Sequence, residues 1–317
     1  STSQVTSYGR AAFKAGVRSI EVGHGNGLGG SSALVGRSSE TDQALISALA
    51  DSAPFSRLGV HSMPSFATIE RDLKPALDLG VNYFRLGAHC TEVDTIAQHA
   101  NLLKSRNVSV AAAIMMISHA TLDTLLREVK KAESFGVDEV IFMDSVGRLT
   151  PTDVEALIVE AKKATPLEIG FHSHDNLGLA VANSMTAASS GAKVIDVSAL
   201  GRGAGAGNTP LELFVTAMHL AGRSLNVPLE GALRLAETAT NQEFTPPRRT
   251  TLSVATSYVN VFSGFTSTIL EASQLYQVDP IEVALACLGK KLVAGQEDSI
   301  FGIAQTISLK LLSEVEK

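Results

Sequence analysis

Cysteine is scarce: Cys90 and Cys287 are the two in 317 residues, too few for a disulfide framework. Such usage suits a reducing compartment, so a cytoplasmic location is expected. Charge is also sparse, at 18% of residues against 45% hydrophobic, which excludes a disordered chain. The net charge of −6 leaves no basic field for phosphates, so no nucleic-acid partner is expected. No apolar run reaches the roughly 18 residues of a membrane span and no signal peptide opens the chain, so no membrane role is expected.

What the chain does have is repetition. Short β-branched apolar runs recur at Val17–Gly23, Arg57–Ser62, Val81–Gly87, Val108–Met115, Val137–Met143, Leu167–His172 and Lys193–Ser198. Each has the length and composition of a strand buried on both faces. Helical spacing fills the intervals, as in Ile69–Leu79, Thr95–Ser105, Leu122–Phe135, Pro151–Ala164 and Leu179–Ser190. Thr150-Pro151 reads as an N-cap followed by proline, and Gly136 and Gly191 as helix stops. Sustained strand–helix alternation predicts parallel βα units. The fold class is therefore α/β: a (β/α)8 TIM barrel whose first strand is absent from these 317 residues, with an open doubly wound sheet as the alternative. After about residue 223 strands cease, and Pro228–Thr240, Val254–Leu275, Pro280–Leu292 and Ile300–Val315 read as helices. The expected division is a barrel over 1–222 and a helical domain over 223–317.

The sharpest chemical signal is Gly170-Phe171-His172-Ser173-His174-Asp175-Asn176. His172 ends a buried strand, and residues i and i+2 share a strand face, so two imidazoles can converge at the C-terminal mouth. That suits a divalent metal; two hydrogen-bonded histidines at a strand end is the plainer alternative. Glu21, His24, Asp144, Ser145 and Ser198 collect at the same rim, with glycine runs after His24 and after Leu200. Gly203–Gly207 lacks Walker spacing, and no Lys-Ser/Thr follows it. Cys90, although beside His89, reads as a buried thiol rather than a nucleophile.

Taken in order, HGNGLGGSS (24–32), AHCTE (88–92), HSHDN (172–176), GAGAGNTPLE (203–212) and AGQED (294–298) resemble the metal-dependent 4-hydroxy-2-oxovalerate aldolases. These belong to a wider superfamily with hydroxymethylglutaryl-CoA lyase and the isopropylmalate synthases. The resemblance spans the chain from about residue 10. It implies a barrel with a C-terminal helical domain. The implied enzyme is a class II aldolase, a carbon–carbon lyase that makes or cleaves a 4-hydroxy-2-oxo acid from pyruvate and an aldehyde through a metal-stabilised pyruvate enolate. It implies His172 and His174 as ligands of a divalent metal, most often Mn2+, Ser145 as a pyruvate contact, and Tyr258 as a catalytic tyrosine from the helical domain. It further implies a place in aromatic hydrocarbon catabolism, a homo-oligomer, and an acylating aldehyde dehydrogenase as partner.

Two departures stand out. The family's acidic metal ligand, enolate arginine and catalytic histidine come from its first strand, in a pattern resembling T-L-R-D-G-S-H, and nothing here matches it. Where the family has aliphatic residues before a proline, this chain has His61-Ser62-Met63-Pro64, so His61 and Met63 are expected to line the aldehyde pocket. A related acyl-CoA lyase or condensing enzyme, or an impaired homologue acting as a binding subunit, are the alternative functions. The strand gap is expected to be filled by a further N-terminal segment, by another chain, or by distortion.

Overall fold

The computed structural model describes residues 1–33 and 35–315. Seven parallel strands hydrogen-bond in sequence order: β1 (Ser19–Glu21), β2 (Arg57–Ser62), β3 (Tyr83–His89), β4 (Ser109–Met115), β5 (Glu139–Asp144), β6 (Glu168–Ser173) and β7 (Val194–Ile195). They correspond one to one with the seven apolar runs. The sheet curls as a barrel-like fold, but among the described residues no ladder joins β7 back to β1. The two flanking strands are the shortest and the least covered. β2 to β6 are almost wholly buried, whereas Ser19 and Glu21 are exposed and β7 is half-buried.

Alternation divides each strand between two environments. Val60, Phe84, Leu86, Val110, Val140, Phe142 and Phe171 face outward into the main core beneath the helices. The opposite parity faces the barrel interior, where Tyr83, Ala111, Ala113, Ile141 and Met143 form their own cluster. Register places His61 beside Arg85, Arg85 beside Ala111, and Met143 beside His172, all on this inner face. Gly59, Gly87 and Gly170 also fall there, so the interior has room for long polar side chains.

The helices are α1 (Thr2–Lys14), α2 (Asp42–Ala50), α3 (Lys74–Asp78), α4 (Ala97–Ser105), α5 (Leu122–Ser134), α6 (Pro151–Ala164), α7 (Ala180–Ser190) and α8 (Leu211–Leu220) around the sheet. After them come α9 (Leu229–Asn241), α10 (Thr251–Tyr258), α11 (Thr266–Tyr276), α12 (Pro280–Leu285) and α13 (Glu297–Val315). The Thr150 cap and the left-handed Gly191 stop are as the sequence predicts. Helix α1 packs on both α2 and α9, so the outer helical layer passes across the gap in the sheet.

Past residue 223 the helices contribute to two separate clusters. The buried face of α9 (Ala232, Leu235 and Ala239) shares a cluster with α1 and α8, on the barrel side. A separate core begins at Leu252 and runs to Ile307. The helix expected over Val254–Leu275 is broken between α10 and α11. Asn260 is left-handed there and is held by tertiary bonds. Its Oδ1 accepts from the Ser118 hydroxyl at 2.7 Å, its Nδ2 donates to the Ser118 carbonyl at 3.0 Å, and its carbonyl lies 2.9 Å from His119 Nε2. Three bonds to the barrel rim outweigh the gain from continuing one helix. No described helix is long and apolar enough to cross a membrane.

Candidate active site

The site forms where β6 runs out. His172 is the inward residue on β6, and His174 follows one alternation later. Their rings meet edge to face with centroids 5.1 Å apart. His172 Nδ1 lies 3.1 Å from Asp196 Oδ2. His174 Nδ1 is buried without a hydrogen-bond partner. Burial, and then the nearby His172, push His174 down to about 3, so it is a neutral imidazole at ordinary pH. The turn beyond is clamped: Asp175 pairs with Arg249 at 2.5 Å, and Asn176 Nδ2 donates to the Ser253 carbonyl at 3.2 Å. Both contacts tie the histidine turn to the segment that opens the helical domain.

Arg85 crosses the barrel interior. Its Nε and Nη2 donate to Glu21 on β1 at 2.6 and 3.1 Å, and its Nη1 donates to Asp196 just after β7. It thus ties together the two strands that flank the gap. Burial opposes the charge on Arg85, but Asp196 and Glu21 outweigh it and hold its pKa above the usual value. For Asp196 burial pushes upward, but the Arg85 charge and the His172 hydrogen bond prevail and hold it at about 2. Deeper in the barrel, Glu139 pairs with Arg57 at 2.5 Å and accepts from the Tyr83 hydroxyl at 3.0 Å.

His61 and Met63 both stand over Gly87: a Cβ there would lie 2.7 Å from His61 Cε1 and 2.9 Å from Met63 Cγ. Glycine is therefore required at position 87 for the His61 ring to fit. His61 is buried, its Nδ1 has no partner, and burial followed by the Arg85 charge depresses it to about 3. The Ser145 hydroxyl accepts from the Met116 amide at 3.0 Å and so braces a left-handed turn between the ends of β4 and β5. Tyr258 ends α10 with 62% of its surface exposed, and among the described residues its hydroxyl makes no hydrogen bond. The aromatic that packs against both the barrel core and the helical core is Phe262.

Other rim residues resolve simply. Asp144, pushed up to about 6 by burial, turns outward and accepts from the Arg148 and Leu149 amides at 3.2 and 3.0 Å. Cys90 is fully buried and pushed up to about 11, which suits a structural thiol. The glycine loop after His24 lies against backbone: a Cβ on Gly27 would meet the His61 carbonyl at 2.6 Å, and one on Gly29 the Phe66 carbonyl at 2.6 Å.

The donor set fits a divalent cation in part. His174 Nδ1 is unpartnered, and His172 has Nε2 to offer. Among the described residues no third carboxylate, imidazole or thiolate completes a metal-holding group. Glu21 and Asp196, the nearest acids on the inner face, are held by Arg85, and Asp144 faces away.

Parallel strands curl around an inward histidine pair, with a helical domain clamped to the mouth, in a TIM-barrel-like fold. Residues 1–239 match the HMGL-like family, and residues 247–309 match the DmpG-like communication domain. The chain belongs to the 4-hydroxy-2-oxovalerate aldolase family and is a carbon–carbon lyase. It is 41% identical to 4-hydroxy-2-oxovalerate aldolase 2 of Salinispora arenicola over 98% of this chain and 89% of that protein. It is 38% identical to 4-hydroxy-2-oxovalerate aldolase of Pectobacterium atrosepticum over 98% and 91%. The carboxyl transferase domain of Rhizobium etli pyruvate carboxylase shares the fold, with a TM-score of 0.76 at 16% identity over 98% of this chain and 58% of that one.

Proposed function

We propose that the chain is a class II pyruvate aldolase that cleaves or forms a 4-hydroxy-2-oxo acid. The observation that carries the proposal is the His172–His174 pair, with an unpartnered buried Nδ1, at the mouth of a barrel of this family. A divalent cation held by these imidazoles, with Mn2+ the best candidate, would supply Lewis acidity at the 2-oxo group of the substrate. Ser145, which follows β5, is the candidate pyruvate contact. His61 and Met63 form the wall for the aldehyde half. Tyr258 is the candidate proton-handling group from the helical domain. Cleavage also requires a base for the 4-hydroxyl proton. The test is metal-dependent pyruvate release from 4-hydroxy-2-oxovalerate, with a CoA-dependence assay to expose an acyl-CoA lyase instead.

Aldehyde preference follows from His61. A neutral, buried imidazole in place of an aliphatic wall favours an aldehyde that can hydrogen-bond or stack. His61→Leu is expected to move the preference towards short aliphatic aldehydes by about 1–3 kcal/mol in kcat/KM discrimination. An unchanged ranking across an aldehyde series would place His61 outside the pocket.

The helical domain leaves Leu270, Leu275, Leu309 and Leu312 exposed. We propose that the helical domain docks an acylating aldehyde dehydrogenase that consumes the aldehyde. Co-purification at native expression levels is expected to recover such a dehydrogenase, and its absence there would count against the pairing.

A further inference from the structure

Arg85 is the most heavily engaged charge in the barrel, and the aldolase reading gives it no role. Its side chain is 10% exposed, and the small inner-face residues Gly59, Gly87 and Ala111 leave it room to span the interior. The fork formed by Nε and Nη2 grips both oxygens of Glu21. The remaining arm reaches Asp196 Oδ2, and the same oxygen lies 3.1 Å from His172 Nδ1. A carboxylate paired with a guanidinium is an acceptor only, so the imidazole nitrogen facing it must carry the proton. That leaves the lone pair of His172 on Nε2.

We infer that Arg85 and Asp196 are positioning residues for His172: Asp196 fixes the proton on Nδ1 and presents Nε2 as the donor, and Arg85 fixes Asp196. Metal-ligating histidines commonly need such an outer carboxylate to set ring orientation and tautomer. Here the carboxylate sits just beyond one of the two strands bordering the gap, and Arg85 anchors it to the other. The same bonds therefore hold the gap edges in register and aim the imidazole. The inference deepens the aldolase reading and rests on it only for the use made of Nε2.

The test begins with the metal-free full chain labelled with 15N-histidine, with His172 assigned by the loss of its signals in His172→Gln. Long-range 1H–15N correlations should show the proton on Nδ1. Asp196→Asn should move it to Nε2 or to a mixture, and should weaken binding of Mn2+ alone by roughly 10–100-fold. Arg85→Met should act in the same direction, whereas Arg85→Lys, which retains a positive charge beside Asp196, should keep the parent tautomer. A parent His172 protonated on Nε2 would overturn the inference without any variant, so a misfolded mutant does not shelter it. An unchanged tautomer with unchanged Mn2+ affinity in Asp196→Asn would also overturn it. A confirmed tautomer together with no pyruvate release from the strand-completed chain would instead refute the aldolase reading and leave the positioning intact.

Discussion

A protein carrying both His172→Ala and His174→Ala is expected to lose bound divalent metal and all aldol cleavage. His174 Nδ1 has no hydrogen-bond partner and His172 keeps Nε2 to offer, whereas Arg85 holds the inner-face acids Glu21 and Asp196. Removing an outer partner of a ligating histidine alone is typically worth 10–100-fold in affinity, so removing both ligands should exceed about 100-fold. Arg85 remains to pair Asp196, so the fold is expected to survive the change. Manganese titration followed by electron paramagnetic resonance checks the point. A double variant that binds Mn2+ as tightly as its parent would show that the site lies elsewhere.

The second large effect concerns the gap between β1 and β7. A polypeptide of these 317 residues alone is expected to be inactive and aggregation-prone, and a version extended at its N-terminus by one strand with an inward acid is expected to be active. Ile20, Val194 and Ile195 lie half-covered on strands that each have one unpaired edge. Each unmade backbone bond costs roughly 1 kcal/mol, and open edges recruit other chains. Helix α1 and the Arg85 ion pairs span the gap without pairing those backbones. Two imidazoles without an oxygen ligand also suit Mn2+ poorly, because hard cations favour oxygen donors. Light scattering and pyruvate release, measured on both versions, decide the matter. Full metal-dependent activity from the 317-residue polypeptide, its mass verified, would contradict the prediction. Because Asp144 faces away, the replacement acid would then have to come from Glu21 or Asp196 after release from Arg85.

Much of the architecture is legible because it depends on local rules. Two-sided burial makes β2 to β6 continuous apolar runs, and a proline after Thr150 or a glycine at 191 punctuates helices by backbone geometry. The histidine pair is equally legible, since residues i and i+2 must share a face. The Arg85 network is not, because Glu21, Arg85 and Asp196 lie far apart in sequence. A signal did exist: a charge in the middle of an apolar strand, as in VNYFRLG or KVIDVS, must find a partner or be excluded from burial. The break at Asn260 was illegible for a different reason. Its partners Ser118 and His119 are on the barrel rim, so local helical periodicity could not reveal it. Helices α2 and α8 carry less regular spacing and follow the two glycine loops. After His24 the structure uses glycine for close approach of backbone to backbone.

The central claim is pyruvate aldol chemistry at the His172–His174 mouth. The direct measurement is pyruvate formed from 4-hydroxy-2-oxovalerate by the strand-completed chain, with and without Mn2+ and without CoA. The account predicts pyruvate release that depends on the metal, is abolished by a chelator, and is absent from the double histidine variant. Metal binding at the pair with no pyruvate release, or turnover that requires a CoA thioester, would contradict it.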